Sequence, residues 1–588
     1  MEFKKMRRTE YCGVIDRRYL DQQVVLEGWV NKKRNLGSLI FVDLRDREGI
    51  VQIVFKEGSS IFDIGDCLKP EYCIKVRGIV KERESKNPQI KNGDIEVICD
   101  DIEIYSKSEQ LPFMIDDGFE VNDNLKLKYR YISLRNNKYQ DIFRIRSKAL
   151  NLFRGFLHND GFTEVSTPIL NKSTPEGARD FLVPSRLNKG RFYALPQSPQ
   201  IFKQLLMVSG FDKYYQVATC FRDEDLRSNR QPEFTQVDIE MSFVDEDDVK
   251  EKMELLIKHV FNSMLDLNIK DKFIELSYEE CMDKYGTDKP DLRFDMQIID
   301  VKDDFVNSDF PMFKECIENY LEIRAIKAKG VDFTRKQLDA LNSFVKDHFN
   351  AKGLIYIRYK DDQIVSSINK FLTDDYKNML IEKYELKNND CLFIIPGIKK
   401  TVLSALGALR LELADMLGIL KDNTEFKFLW VKDFPLYEYS EEDGRYYASH
   451  HPFTMPNEDD IKYFETKEYS KIRAKAYDLV LNGEEIGGGS IRIHNDLIQN
   501  KMFEALGLSE YEVNEKFGFF VEALKYGTPP HGGIAFGLDR IIMFLANVND
   551  IKDVIAFPKN KKGECLLSSA PGKVDDMQLR ELGINIEK

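Results

Sequence analysis

The chain has no run of about 18 apolar residues, so no helix is expected to span a membrane. Its opening MEFKKMRRTEYCGV is basic but leads into no apolar stretch, which argues against a secretory leader. Nine cysteines, from Cys12 to Cys565, are odd in number, scattered and never spaced CxxC. That fits reduced thiols in a cytoplasmic protein and speaks against a zinc site. The seven histidines are equally dispersed apart from adjacent His450 and His451, so no transition-metal cluster can be read. Basic charge is not in excess either: 86 Lys and Arg against 99 Asp and Glu leave a net charge of −13. That sum counts against a uniformly basic nucleic-acid binder but leaves room for a local basic patch.

At 588 residues the chain is too long for one core, and three or four domains are expected. A hydrophobic share of 43% beside 31% charged residues is that of a soluble globular protein. Residues 1–108 alternate as short strands: Gln23–Asn31, Ser38–Leu44, Gly49–Phe55, Tyr72–Lys81 and Asp94–Tyr105. Five strands in that length fit a small Greek-key barrel such as an OB-fold. In the second strand Ile40, Val42 and Leu44 share one face, and Phe41, Asp43 and Arg45 the other. An aromatic among charges suits base stacking, although Phe41 packed under a loop fits the same alternation. A polar hinge, residues 109–137, precedes a helical pattern running from Ile142 to Phe156, with Gly161 as a stop. Between residues 288 and 421 the texture changes, as for a domain inserted between two motif-rich segments. Residues 559–588 are polar and read as a surface extension.

Three segments carry candidate chemistry. In FRDEDLRSNRQPEFTQVDIEMSF (221–243), Val237, Ile239, Met241 and Phe243 should face a core, and Gln236, Asp238 and Glu240 a polar ligand. Arg222, Arg227 and Arg230 precede them among Asp223, Glu224 and Asp225. Guanidinium forks there could take phosphate; a solvated hairpin pairing its own charges has the same composition. In AYDLVLNGEEIGGGSIRIH (476–494), Asn482-Gly483 marks a two-residue hairpin turn, placing Val480 opposite Glu485 and Asp478 opposite Gly487. Asp478 and Glu485 would then share a face and call for a basic group or an oxygen-bound cation such as magnesium. Gly487–Gly489 leave backbone bare, or mark a Gly-rich edge. Arg492 reaches the face of Glu485 only if a bulge in the Gly run shifts the strand. In GIAFGLDRIIMFLA (533–546) a strand end turns into an apolar helix with Asp539 and Arg540 at its start.

In this order the segments resemble the three signature motifs of class II aminoacyl-tRNA synthetases, with FTEVSTPIL as part of the first. TPEGARDF, ALPQSPQIFKQ, RQPEFTQVD, HHPFT, NGEEIGGGSIRIH and GWVNKKRNLGSLIFVDLRDREGIVQIV are similar to the bacterial-type aspartyl-tRNA synthetases (subclass IIb), over nearly the whole chain. The resemblance implies a multidomain α+β fold: an OB-fold anticodon-binding barrel (1–108), hinge (109–137), and a catalytic antiparallel sheet in two parts (138–287 and 422–558). An inserted GAD-like α+β domain (288–421) and a C-terminal extension (559–588) complete it. It further implies activation of aspartate by ATP and transfer to tRNA(Asp), with Mg2+ as cofactor, no zinc, and a cytoplasmic homodimer without a membrane partner.

By the same resemblance Arg222, Glu485 and Arg540 are catalytic, and Arg222, Asp223, Glu224, Gln231, Glu485, Gly537, Leu538, Asp539 and Arg540 bind ATP. Asp478 and Glu485 would hold magnesium. Glu176, Gln200, Lys203, Arg222, Asp238, His450 and Arg492 would bind aspartate, with Lys203 and Arg492 on its side-chain carboxylate and Asp238 on its α-ammonium. Asparagine should then leave the cations without counter-charge. Arg34, Leu36, Phe41, Gln52, Arg83 and Glu96 would serve the anticodon, with Leu36 resembling forms restricted to the aspartate tRNA. Alternatives are a form that also charges the asparagine tRNA, an asparagine or lysine ligase, and a non-catalytic RNA-binding paralogue.

Overall fold

The structure, a computed structural model, describes residues 3–116, 121–174 and 178–587. The chain divides into two units, Met1–Asp141 and Ile142–Lys588. In the first, strands β1 (Gln23–Asn35), β2 (Leu39–Arg45), β3 (Ile50–Lys56), β4 (Cys73–Glu82) and β5 (Ile95–Ser106) close a barrel in the order β1-β2-β3-β5-β4. Alternation drives it: Ile40, Val42 and Leu44 point inward with Leu26, Val30, Ile53 and Val76, all fully or almost fully buried. Each predicted strand lies within a few residues of an observed one. The segment predicted as a hinge instead folds with this unit. Asn136 donates to the Ile115 carbonyl at 2.7 Å, and Arg135 joins Arg45 on the buried carboxylate of Glu71. A buried glutamate needs such partners, and they fix the segment that supplies them.

The second unit begins within helix α1 (Asn137–Asn159). Strands β6 (Thr163–Glu164), β7 (Lys213–Phe221), β8 (Glu233–Ser242) and β9 (Ile274–Ser277) follow, with helix α2 (Gln200–Val208) between β6 and β7. The inserted stretch supplies β10 (Ile299–Asp300), β11 (Glu322–Ala328), β12 (Ile355–Lys360), β13 (Gln363–Ser366) and β14 (Asp390–Gly397), then helix α3 (Lys399–Met416). Strands β15 (Phe428–Lys432), β16 (Ala476–Leu481), β17 (Glu484–Ile491) and β18 (His531–Gly537), and helix α4 (Leu538–Ala546), complete the second half.

The main sheet runs β9-β15-β16-β17-β18-β8-β7-β6. Its six central strands are antiparallel, while β9 and β6 join the edges in parallel. Val237, Ile239 and Met241 are buried as expected, but Phe243 is not: it is 72% exposed. The strand ends at Ser242, and a φ of 59° at Phe243 turns the chain off the sheet. Period-two parity holds only as far as the ladder does.

The inserted stretch forms a sheet of its own, β10-β11-β14-β12-β13, with a hydrophobic cluster on each face. Helix α3 supplies Val402, Leu406, Leu409 and Leu413 to one cluster. It approaches the main domain so closely that a Cβ on Gly407 would sit 2.6 Å from the Tyr285 carbonyl oxygen. One turn on, fully buried Arg410 donates to the carbonyls of Asp291 and Phe294 at 2.7 and 2.8 Å, its guanidinium carbon 3.9 Å from the Phe294 ring centroid. No described helix is long and apolar enough to cross a membrane.

Candidate active site

A cleft of 560 Å³ opens over the middle of the main sheet. Gln236 and Asp238 of β8 line its floor with Glu240 buried beyond them, and the three pair with Gly537, Ala535 and Gly533 of β18. Small residues on β18 leave the β8 side chains room: a Cβ on Gly533 would lie 2.2 Å from a Glu240 carboxylate oxygen. Lys203, from α2, sits 3.0 Å from Asp238 and 3.6 Å from Glu240. Arg492 grips Glu240 with Nε at 2.9 Å and Nη2 at 3.1 Å, and its Nη1 meets His451 Nε2 at 2.8 Å. All four charged groups are at least 98% buried.

Burial pushes both carboxyls up, with opposite net results. Attraction to Arg492 and Lys203 carries Glu240 below the usual range, whereas Asp238 stays raised despite Lys203. The Asp238 Oδ2 has no hydrogen-bond partner among the described residues. A bare acceptor beside a donor-only lysine and arginine suits a small zwitterion with an acidic side chain. The expectation that these cations lack counter-charge without substrate is corrected: each already has a carboxylate. Both Glu240 oxygens are engaged by Arg492, so an incoming amide N–H would compete with that guanidinium fork for the remaining lone pairs.

The β16–β17 hairpin supplies the second corner. Asn482 and Gly483, with φ of 51° and 90°, form the turn as predicted, and Val480 lies opposite Glu485. Asp478, however, pairs with Gly488 and not Gly487, because the register shifts after Leu479 and leaves Ile486 as an extra residue. This bulge brings Glu485, Gly488, Ser490 and Arg492 to the cleft together. A Cβ on Gly488 would stand 2.7 Å from an Asp478 oxygen and 3.3 Å from a Glu485 oxygen, so the two carboxylates converge over bare backbone. Burial, then Glu485 and Asp288, push the Asp478 carboxyl well up. Neither carboxylate has an ion-pair partner among the described residues, and an oxygen-binding divalent cation is the kind of ion such a pair could hold.

Arg222 lies over the Phe234 ring, 5.1 Å from its centroid, and its buried Nε has no partner among the described residues. An unspent guanidinium donor suits a phosphate oxygen. Arg540 also faces the cleft and is steadied by a bond to the Glu485 carbonyl at 2.7 Å. Glu224, Gln231, Gly537 and Asp539 line the cleft, but three of them are already engaged, Glu224 by Arg230 at 3.3 Å. The Gln231 amide makes two bonds to the backbone of Lys559, at 2.8 and 3.1 Å. The Asp539 carboxylate holds Arg146 and accepts from the Thr235 N–H at 2.8 Å. Asp223 lines a neighbouring cavity, Leu538 is in the core, and Arg227 is exposed. Gln200 and His450 line the cleft with Lys203 and Asp238. Glu176 lies outside the described residues.

On the barrel, Gln52 accepts from Arg34 at 3.0 Å and from Arg83 at 2.8 Å, and donates to Glu96 at 2.8 Å. Arg34 also lies 5.8 Å from the Phe41 ring centroid, so five expected anticodon residues share one face. Leu36, 72% exposed, stands in the adjoining turn. Sequence reasoning put Glu240 on the ligand-facing side but left out Ser490, which lines the cleft, and Gln204 and His531, which are buried beneath it. Alternation pointed to Glu240, two residues after Asp238. The rest are set by tertiary contacts.

A family profile described as tRNA synthetases class II (D, K and N) matches residues 122–561, and one described as an OB-fold nucleic acid binding domain matches residues 24–105. The chain belongs to the class II tRNA synthetases of the D, K and N group. Among its relatives is the aspartate–tRNA ligase of Clostridium novyi (strain NT), 53% identical over 99% of this chain and 98% of that one. The aspartate–tRNA ligase of Clostridium acetobutylicum is 52% identical over the same shares, 99% and 98%. The fold is similar to that of asparaginyl-tRNA synthetase from Pyrococcus horikoshii complexed with asparaginyl-adenylate, with a TM-score of 0.59 and 19% identity over 94% of this chain and 98% of that one.

Proposed function

We propose that the protein is an aspartate–tRNA ligase, which joins aspartate to AMP with release of pyrophosphate and then moves the aspartyl group to the 3′ end of tRNA(Asp). The observation that carries this reading is the buried set Lys203–Asp238–Glu240–Arg492, donor-only on one side with a bare Asp238 oxygen on the other. The α-ammonium docks on Asp238, and the side-chain carboxylate on Lys203 and Arg492. An oxygen of the α-carboxylate attacks the α-phosphorus, and the bond to the β-phosphate breaks. Arg222 takes the charge that develops on the α-phosphate, and Arg540 holds the far phosphates. No protein nucleophile is needed, because the gain comes from alignment and fixed charge. The terminal ribose hydroxyl of the tRNA then displaces AMP. Magnesium bound with ATP offsets phosphate charge, and Asp478 and Glu485 would hold it.

ATP–pyrophosphate exchange with aspartate, asparagine and lysine in parallel tests this. Exchange with aspartate alone is expected; exchange with asparagine or lysine would move the reading to a sister enzyme. The barrel face around Phe41 and Gln52 reads the anticodon, and Leu36 favours tRNA(Asp) over tRNA(Asn). Removing one stacked ring costs about 1–3 kcal/mol. Phe41→Ala should therefore raise the KM for tRNA about tenfold or more, while exchange without tRNA stays unchanged. The working form is a cytoplasmic homodimer, which sedimentation equilibrium would check.

A further inference from the structure

His531 and Gln204 have no part in the mechanism above, yet both are completely buried beneath its amino-acid end. His531 Nδ1 lies 2.8 Å from the Pro529 carbonyl oxygen, and its Nε2 lies 3.2 Å from the Gln204 amide nitrogen. Gln204 Oε1 accepts from the Gln200 amide nitrogen at 2.9 Å, one helical turn earlier on α2. Gln200 lines the cleft.

Each link has a compulsory direction. A carbonyl oxygen only accepts, so the proton of the imidazole sits on Nδ1. Burial keeps the ring neutral, down to a pKa of about 4, so Nε2 can only accept. Gln204 must therefore turn its N–H2 to the histidine and its oxygen to Gln200. Gln200 in turn spends an N–H on Gln204, and its own carbonyl oxygen has no hydrogen-bond partner among the described residues. A side-chain amide is nearly symmetric in shape, so packing alone does not choose between its two orientations. The backbone at Pro529 makes the choice and passes it through two side chains.

We infer that His531 and Gln204 are positioning residues that lock the Gln200 amide with its oxygen toward the cleft, as an acceptor for the α-ammonium of the amino-acid substrate. The inference rests on the reading of this end as the aspartate site. A flipped Gln200 would present N–H2 to an ammonium, replacing attraction with repulsion. Together Gln200 and the bare oxygen of Asp238 give the ammonium two acceptors.

The test uses the full-length enzyme in pyrophosphate exchange. Gln204→Met keeps the volume and removes both bonds. It should raise the KM for aspartate about tenfold, the usual scale for losing one charge-assisted hydrogen bond. The KM for ATP and kcat should stay within about twofold. Succinate, which has no α-ammonium, should inhibit wild type and variant equally. Gln204→Glu still accepts from Gln200 and can share a proton with His531, so it should return the aspartate KM most of the way. An unchanged aspartate KM in Gln204→Met, or succinate inhibition weakened in step with aspartate, would overturn the inference, since the latter means lost packing. Gln200→Ala separates the two levels. If it leaves the aspartate KM unchanged, the site reading itself fails and the relay falls with it. If Gln200→Ala is damaging and Gln204→Met is not, only the relay is wrong.

Discussion

At the amino-acid end of the cleft two cations and two carboxylates form a closed set, bonded before any substrate arrives. At the hairpin end, Asp478 and Glu485 converge with no ion-pair partner among the described residues. The first end is preorganised: its geometry is held by the protein's own charges, and substrate joins a finished frame. The second is completed by what binds, since two carboxylates that close repel until a cation intervenes. The same sheet thus carries a site that is stable when empty and one relieved by filling.

Several substitutions can break this contrast, and Arg492→Ala should act most strongly. It leaves Glu240 buried with Lys203 alone, and aspartate kcat/KM should fall about 10³-fold or more. A drop under tenfold in pyrophosphate exchange would mean the set is not a unit. Next is Arg222→Ala, where loss of a donor to developing charge should lower kcat about 10²-fold with little change in the aspartate KM. A KM effect alone would place Arg222 on ground-state binding.

At the open end the sign for stability should reverse. Asp478→Asn, measured without magnesium, should stabilise the protein by on the order of 1 kcal/mol by removing like-charge repulsion, while it impairs use of Mg-ATP. Destabilisation would put Asp478 among the paired groups. Last, His531 gives a stability trend with pH. Its folded pKa, about 4, lies below the unfolded value of about 6.5, so the unfolded chain binds the extra proton. Stability contributed by the neutral ring is full above pH 6.5 and is lost as pH falls toward 4, by about 2 kcal/mol at pH 5. Wild type should lose this increment in denaturant titrations between pH 7 and 5, and His531→Gln should not. An equal loss in both would assign the trend to other groups.

Where function follows local pattern, it could be read from residues alone. The barrel strands follow from alternation, the hairpin from Asn482-Gly483, and the polar floor from the period-two run through Asp238. Register could not be read that way. Nothing in EEIGGG marks Ile486 as the extra residue, because a bulge belongs to a pair of strands and not to one. Phe243 failed for a related reason, since where a strand ends depends on its neighbours. The closed charge set and the Gln200–Gln204–His531 line join residues up to about 330 positions apart, and hydrogen-bond direction is settled only by tertiary contact. The segment 109–137 looked like a linker because its anchoring partner, Glu71, lies far back in the chain.

Arg410 has a practical consequence for anyone redesigning the enzyme. Although the inserted sheet has its own two cores, its arginine closes over residues 291–294, a few positions from Asp288 on the wall of the cleft. The insertion is therefore not a cassette. A chimaera that exchanges residues 288–421 carries the arginine and its carbonyls together, but it sets a new helix against the Tyr285 carbonyl, where a Cβ at position 407 would come within 2.6 Å. Grafts must transfer the helix and the strap as one piece.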